Sequence, residues 1–333
     1  MFILVLVLIF GITACDNGSF DITDDFSITG RPVIEDDDGD VYETYALIVL
    51  EKNGKEIERF VNDVEESLFE IDGLESGNYT LNIYRTDIEP IKKELVLTSD
   101  KENNLGDIYL EPEEIENDEK DATLLLAINT EEEYMYNENV RLAIAHALDK
   151  TEIMEDFVDA IKDQFGINYE AELANRISAP TVFDYNEDLN FNLDNNIEKA
   201  QNYIDNAGYE EEIEIDFYYD GPDLTFNEEL KNHVVNSLNK IDGITINPIT
   251  SSFEEISNNH YQFYHKTYSF NRCPYNIRHF SSIDFTEDMK IKLDEAGLNL
   301  DNKEKVAEII LEVEEMLIEK GLVIPIFHRG IFD

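Results

Sequence analysis

Residues 139–153 read NVRLAIAHALDKTEI, and this stretch decides the fold of the second half of the chain. Its apolar residues recur three and four positions apart, as in a helix with one buried face: Val140, Ala143, Ile144, Ala147 and Leu148. Asn139 is the candidate N-cap, and Thr151 is predicted to open a second helix. A strand is predicted just upstream, from Thr123 to Asn129. The stretch therefore indicates a strand followed by two helices.

Strands and helices continue to alternate downstream of this stretch. Helices are predicted from Asp194, as a cap, to Gly208, and over Asn227–Ile241, Thr286–Ala296 and Asn302–Lys320. Strands are predicted over Ile213–Tyr219, Ile244–Ile249, Tyr261–Phe270 and Leu322–Phe327. This alternation predicts an α/β layered lobe with a largely parallel sheet over residues 122–333.

Upstream, short β-branched and aromatic segments are separated by turns. Strands are predicted over Ile28–Val33, Tyr45–Leu50, Glu56–Phe60, Ser67–Ile71, Tyr79–Tyr84, Ile91–Leu97 and Asp107–Leu110. The pair Asn53-Gly54 between two of them is a strong hairpin signal. We expect an antiparallel β-sandwich over residues 28–110. Residues 111–121 (EPEEIENDEKD) are predicted to be an acidic linker to the α/β lobe, so the chain is expected to be multidomain.

The first fourteen residues, MFILVLVLIFGITA, form an apolar run that ends in small residues directly before Cys15. The run is shorter than the roughly 20 residues that a spanning helix requires, and it is typical of a cleaved export signal. Ile12-Thr13-Ala14-Cys15 resembles the lipobox of bacterial lipoproteins, in which the cysteine is acylated. We therefore predict a signal peptide over residues 1–14, a lipid on Cys15, a leader over residues 15–27, and a location outside the cytoplasm at a cell membrane.

Acidic residues outnumber basic ones by 75 to 25, which gives a formal net charge of −50. Nucleic acids and anionic lipids bind basic surfaces, so neither is an expected partner. Such a charge also repels itself, and salt is expected to stabilise the folded chain by screening it. After cleavage Cys273 is the remaining cysteine, which excludes an intramolecular disulfide.

Two parts of the chain resemble known families. Leu126-Ala127-Ile128-Asn129-Thr130 and the stretch from Asn139 to Ile153 resemble extracellular solute-binding proteins of family 5, and the similarity extends from Thr123 to Phe332. The resemblance implies a periplasmic-binding-protein-like lobe, an ABC permease as partner and a peptide or another small ligand. It covers one lobe of that family, so the first lobe is expected to be missing. The segment Phe69–Leu81 resembles carboxypeptidase regulatory-like β-sandwich domains, and this resemblance implies a spacer or an interaction module.

Candidate ligand residues follow from the same resemblance. Peptide-binding members carry an acidic residue near a tyrosine at the cleft, and the corresponding positions here are Phe270, Asn271, Arg272 and Tyr275. Tyr275 keeps the family tyrosine, Pro274 stands where the acid is expected, and Arg272 would favour an anionic ligand. The alternative is an exposed arginine with a structural role.

A group of histidines and a cysteine indicates a candidate metal site. Imidazole and thiolate groups suit Zn²⁺ or Ni²⁺, and four candidates lie close together in the sequence: His260, His265, Cys273 and His279. Scattered surface histidines are the alternative. The sequence has no nucleophile motif, phosphate-binding loop or dinucleotide fingerprint, so neither an enzyme nor a cofactor is predicted. Two functions remain open, a solute-binding lipoprotein of an ABC importer and a structural or interaction lipoprotein that has lost transport.

Overall fold

The computed structural model describes most of the chain downstream of the predicted leader. The described residues are 26–35, 39–62, 68–98, 103–111, 120–166, 169–179, 193, 195–220, 225–251, 263–269, 277 and 285–330. Cys15, the predicted signal peptide and most of the predicted linker lie outside these ranges. Among the described helices, none is both long enough and apolar enough to cross a membrane.

The N-terminal strands form two four-stranded sheets. Their bounds are β1 Phe26–Glu35, β2 Val41–Glu43, β3 Leu47–Lys52, β4 Lys55–Val61, β5 Phe69–Leu74, β6 Gly77–Tyr84, β7 Ile91–Leu97 and β8 Asn104–Tyr109. One sheet has the order β2-β1-β5, with β8 also paired to β1, and the other has the order β4-β3-β6-β7. The predicted hairpin is confirmed, since Asn53 and Gly54 have φ of 57° and 73° and Lys52 pairs with Lys55. The prediction missed β2, whose three residues are all exposed.

The facing surfaces of these sheets share a buried apolar core, which we call the inner core. It contains Ile28, Ile71 and Ile108 from one sheet and Ile48, Leu50, Leu81, Ile83 and Leu97 from the other. The expectation of wholly antiparallel strands is wrong in one place, because β1 and β8 are parallel. Alternation of apolar residues identifies a strand but does not set its direction, which depends on the path of the connecting chain.

The second half of the chain forms an α/β layer around a six-stranded sheet. Its strands are β9 Lys120–Ile128, β10 Ala171–Leu173, β11 Ile213–Asp220, β12 Ile244–Ser251, β13 Phe263–Ser269 and β14 Val323–Gly330. Its helices are α1 Glu138–Ala147, α2 Lys150–Phe165, α3 Ile197–Ala207, α4 Thr225–Leu238, α5 Glu287–Gly297 and α6 Lys303–Glu319. The strand order is β10-β14-β9-β13-β11-β12.

The sheet is mixed, so the prediction of a largely parallel sheet is wrong. β11 is parallel to β12 and to β13, whereas β13–β9, β9–β14 and β14–β10 are antiparallel. The β11–α4–β12 unit is parallel because a crossover helix returns the chain to the same edge. β9 precedes that unit and enters the middle of the sheet in the opposite direction, which the alternation of strands and helices did not reveal.

Helix caps lie close to the predicted positions. The side chains of Asn137, Asp149 and Asn196 accept hydrogen bonds from the first turns of α1, α2 and α3. Asn139 was therefore wrong as the N-cap of α1 by two residues, and Thr151 was wrong as the start of α2 by one. Asp194 lies outside the described residues. The predicted end of α3 at Gly208 is confirmed by its left-handed φ of 78°.

The six-stranded sheet is covered on both faces. Leu124, Leu126 and Ile128 of β9 face a core lined by α1 to α4, while Leu125 and Ala127 face a second core lined by α5 and α6. Tyr45, Leu47 and Val49 belong to the second core as well. We call it the shared core, because it joins β3 to the six-stranded sheet. The sandwich therefore is not shown as a separate domain, and the predicted domain boundaries stay a prediction.

Candidate functional site

The carboxyl ends of three parallel strands meet at one edge of the six-stranded sheet. β11 ends at Asp220, β12 at Ser251 and β13 at Ser269. β13 has a parallel neighbour on one side and the antiparallel β9 on the other, so the strand direction changes there. In open α/β sheets, ligands bind outside the carboxyl ends of the strands, where the topology switches. This edge is therefore the candidate ligand-binding site.

A polar cluster occupies the described part of this edge. Thr250 Oγ1 donates a hydrogen bond to Tyr219 Oη over 2.8 Å, and Tyr219 Oη donates to Glu228 Oε1 over 3.2 Å. Lys231 Nζ forms an ion pair with Glu228 and lies 5.6 Å from the centroid of the Tyr219 ring. The four side chains come from β11, β12 and the first half of α4. They fix the direction of the Tyr219 hydroxyl.

The electrostatics of this cluster favour binding over acid–base chemistry. The hydrogen bond from Lys231 holds the pKa of Glu228 below its ordinary value, and the same bond raises the pKa of Lys231. Both groups therefore stay charged at neutral pH. A general acid or base requires a pKa close to the working pH, whereas this pair moves away from it. Tyr219 itself is 5% exposed and positions its neighbours, whereas Thr250 is exposed and Glu228 is partly exposed, so these two can offer hydrogen bonds to a polar ligand.

The ligand residues predicted from the sequence follow β13 directly in the chain. Phe270 comes immediately after Ser269, the last residue of β13, but Phe270, Asn271, Arg272 and Tyr275 all lie outside the described residues. The cluster of Tyr219, Glu228, Lys231 and Thr250 was missed by the sequence analysis. The sequence contained one sign of this cluster, because Tyr219 and Thr250 lie at the carboxyl ends of neighbouring predicted strands.

The proposed metal ligands stay a prediction. His265 belongs to β13, where its backbone is paired with Leu126, and nothing of its side chain is described. His260, Cys273 and His279 lie outside the described residues. Within the part of the chain that the structure describes, no three histidine, cysteine or carboxylate side chains are grouped as metal ligands.

Arg141, in the stretch Asn139–Ile153, has a structural position. Arg141 is 5% exposed, and it donates from Nε to Lys320 O over 2.9 Å and from Nη1 to Met135 O over 2.8 Å. It thus joins the loop before α1 to the turn after α6. Gly321 in that turn has φ of +63°, and a Cβ there would lie 3.0 Å from Arg141 Cβ. Burial lowers the pKa of Arg141 from its ordinary value.

Comparison with known proteins assigns the chain to a family. Residues 71–280, more than half of the chain, match the family model described as bacterial extracellular solute-binding proteins, family 5 Middle. The chain belongs to family 5 of the extracellular solute-binding proteins. The match begins inside β5, upstream of the resemblance noted from the sequence, so the absence of the first lobe stays a prediction. Membership of an extracellular family supports a location outside the cytoplasm.

Solved structures of other proteins share the fold. HbpA2 from Haemophilus parasuis is 19% identical with a TM-score of 0.53, over 64% of this chain and 44% of HbpA2. AppA from Bacillus subtilis, in complex with a nonapeptide, is 15% identical with a TM-score of 0.53, over 64% of this chain and 47% of AppA. DppA from Helicobacter pylori, in complex with the peptide STSA, is 19% identical with a TM-score of 0.50, over 63% and 42%.

These similarities have a limited extent. At identities of 15% to 19%, these structures show only that this chain shares their fold. The chain spans less than half the length of these solved structures. No curated protein matches the sequence.

Proposed function

We propose that this chain is an extracytoplasmic solute-binding protein that binds peptides and delivers them to an ABC permease. The observation that carries the proposal is the family 5 match over residues 71–280. Two of the structures with the same fold hold peptides, a nonapeptide in AppA and STSA in DppA. The candidate site supports the proposal, because its hydroxyl and charged groups offer hydrogen bonds suited to a peptide backbone.

The ligand is proposed to lie at the carboxyl edge of β11, β12 and β13. Phe270, Asn271, Arg272 and Tyr275 are proposed as ligand residues, because they follow β13 in the chain. Arg272 would pair with a carboxylate of the ligand, such as the C-terminus of a peptide, by a charge-assisted hydrogen bond. A free C-terminus on the ligand is therefore expected to matter.

A thermal-shift screen of the full chain in detergent against short peptides tests this function. We expect some peptides to raise the melting temperature, because a ligand that binds only the folded state stabilises it. The same peptides with an amidated C-terminus should give smaller shifts, and Arg272→Ala should reduce the shift for the free acid only. Arg31→Ala is the matched control, since Arg31 lies in β1, far along the chain from the site. No shift with any peptide would favour the alternative, an interaction lipoprotein without transport.

We also propose that Cys15 carries a lipid that anchors the protein to a membrane. The sequence Ile12-Thr13-Ala14-Cys15 is the support, and the family location is consistent with it. In cells fed a radiolabelled fatty acid, the wild type should be labelled and should sediment with membranes. Cys15→Ala should lose both properties, whereas Cys273→Ala, the matched control, should keep them. A Cys15→Ala protein that still sediments with membranes would contradict the anchor.

A further inference from the structure

Three tyrosines, one exposed and two partly buried, lie together at the edge of the sheet opposite the candidate ligand site. Tyr134 and Tyr136 lie between β9 and α1, and Tyr209 lies between α3 and β11. β9 runs antiparallel to β13, so its carboxyl end lies at the amino edge of the parallel strands. We call Tyr134, Tyr136 and Tyr209 the tyrosine surface. A partner that binds there would leave the carboxyl edge accessible.

The three rings are held in a defined arrangement. The rings of Tyr134 and Tyr209 meet edge to face, with centroids 5.2 Å apart and an interplanar angle of 81°. The hydroxyl of Tyr209 donates a hydrogen bond to Tyr136 Oη over 3.1 Å. Tyr136 nevertheless remains 65% exposed. The structure thus keeps a large aromatic side chain in water, although burial would be favourable.

The backbone beneath the tyrosine surface is held by burial and hydrogen bonds. Met135 is fully buried, and its carbonyl accepts the hydrogen bond from Arg141. Asn137 Nδ2 donates to Ala207 O over 3.3 Å, which ties the loop to the end of α3. Tyr134 has φ of +68°, a left-handed conformation that is unfavourable for a side chain of this size. A rigid surface loses little conformational entropy when a partner binds.

The surroundings of the tyrosine surface are acidic. Burial raises the pKa of the Tyr134 hydroxyl, and the negative charges of Glu133, Glu211 and Glu214 raise it further. These three carboxylates are exposed. Elsewhere in the structure, lysine side chains lie over tyrosine rings: Lys52 over Tyr79, Lys199 over Tyr203 and Lys231 over Tyr219. Among the described contacts, no lysine or arginine lies over the tyrosine surface.

The chemistry of this surface selects its partner. Tyrosine faces attract arginine and lysine, and carboxylates at the rim add ion pairs. Phosphate-bearing partners such as nucleic acids and anionic lipids would be repelled. A small cation would need a concave site that encloses it, whereas Tyr136 projects into solvent. Tyrosine and arginine are also enriched among the residues that dominate protein–protein binding.

We propose that the tyrosine surface is a docking site for an arginine- or lysine-bearing segment of a partner protein. In this contact a cationic side chain stacks on Tyr136 and Tyr209, while Glu211 and Glu214 bind neighbouring cations. The proposal goes beyond solute binding and does not depend on it, because the two sites lie at opposite edges of the sheet.

Fluorescence anisotropy of a labelled (Gly-Arg)₄ peptide with the full chain in detergent tests the docking site. We expect Tyr136→Ala to weaken binding about three- to fivefold, because one exposed cation–π contact is lost. Tyr136→Phe should change the affinity less than twofold, since the ring face is kept. The pair Glu211→Gln and Glu214→Gln should weaken binding by a similar factor and should reduce its dependence on salt.

Two controls separate docking from the general attraction of a basic peptide to an acidic protein. Tyr109→Ala removes an exposed tyrosine of β8, two residues from Asp107 in the same strand, and should leave the affinity unchanged. (Gly-citrulline)₄, which lacks the charge, should bind weakly to every variant. Equal affinity of the wild type and Tyr136→Ala, or equal losses in Tyr136→Ala and Tyr109→Ala, would overturn the proposal. Peptide-induced thermal shifts at the other edge should be the same in Tyr136→Ala and the wild type, so each proposal can fail alone.

Discussion

The inner core and the shared core are built from opposite faces of the same strand. Ile48 and Leu50 of β3 point into the inner core between the two N-terminal sheets, whereas Leu47 and Val49 point into the shared core beside α5 and α6. All four side chains are at most 2% exposed. A strand at the surface of a sandwich alternates between apolar and polar residues, but β3 does not. The difference shows that the second face of this sheet is also covered.

The position of β3 between the two cores determines whether the chain unfolds as one unit or two. Two domains joined by a linker would each have a core of their own. Here the inner core lies on one side of β3, and the shared core on the other side includes Leu125 and Ala127 of the six-stranded sheet. Loss of the shared core would therefore expose surface on both halves. We expect a single cooperative transition.

The largest expected effect comes from truncating the two faces of β3 separately. Leu47→Ala opens a cavity in the shared core and Leu50→Ala opens one in the inner core, and each should lower the free energy of unfolding by roughly 2 to 5 kcal/mol. Both variants should shift one transition, because both cores depend on β3. Differential scanning calorimetry measures this.

Ile57→Ala is the control for this comparison, because Ile57 lies on the neighbouring β4 and is 40% exposed. Its effect should be well below 1 kcal/mol. Two resolved transitions, with Leu50→Ala lowering only one of them, would instead establish the N-terminal sheets as an independent domain.

A buried carboxylate of α6 lies beside the shared core. Glu314 of α6 is 1% exposed and accepts backbone hydrogen bonds from Ile177 over 3.1 Å and Ser178 over 2.9 Å. The Ser178 hydroxyl donates to it as well. Ile177 belongs to the shared core, so these bonds hold the segment after β10 against α6. Burial raises the pKa of Glu314 to about 7, although the hydrogen bonds oppose that shift.

The raised pKa of Glu314 predicts a pH dependence with a defined sign. The folded carboxyl keeps its proton up to about pH 7, whereas in the unfolded chain it loses the proton near its ordinary pKa of 4.5. The folded state therefore binds more protons in this window, and its contribution to stability falls by about 3 kcal/mol as the pH rises from 4.5 to 7. Glu314→Gln should remove that part of the slope in urea titrations.

Glu308→Gln is the matched control for Glu314→Gln, because Glu308 is exposed on the same helix. Its slope should equal that of the wild type. If Glu314→Gln and the wild type lose stability in parallel from pH 4.5 to 7, the burial of this carboxyl has no thermodynamic consequence. The raised pKa of Glu314 would then be wrong.

The sequence predicted individual elements better than their arrangement. Periodicity found most strands and helices, and Gly208 was recognised as a helix end because its role is local. The direction of β9 was missed, since it depends on the path of the chain through the sheet rather than on neighbours in sequence. The cover over Leu47 and Val49 was missed for the same reason. The sequence does contain an unbroken apolar run over Tyr45–Leu50, and such a run indicates a strand that is buried on both faces.

The candidate site was predictable in part. The family resemblance pointed to the chain after β13, and the fold places the end of β13 at the carboxyl edge. Tyr219 was assigned to a strand from the alternation around it, but its hydrogen bond with Glu228 joins a strand end to a helix in three dimensions. Arg141 was noted only as part of a motif. Its contacts with Met135 and Lys320 show that a motif residue can stabilise the fold without facing a ligand.

The smallest expected effect comes from removing an arginine at the edge of the shared core. Arg59 of β4 donates to Leu298 O over 3.0 Å and pairs with Asp301 over 3.0 Å, so it connects the N-terminal sheet to the chain between α5 and α6. Arg59→Ala should cost about 1 kcal/mol, because partly exposed ion pairs contribute little. Lys92→Ala breaks an exposed pair with Glu94 inside β7 and should cost less. Hydrogen exchange would separate them, since only Arg59→Ala should speed exchange at the end of α5.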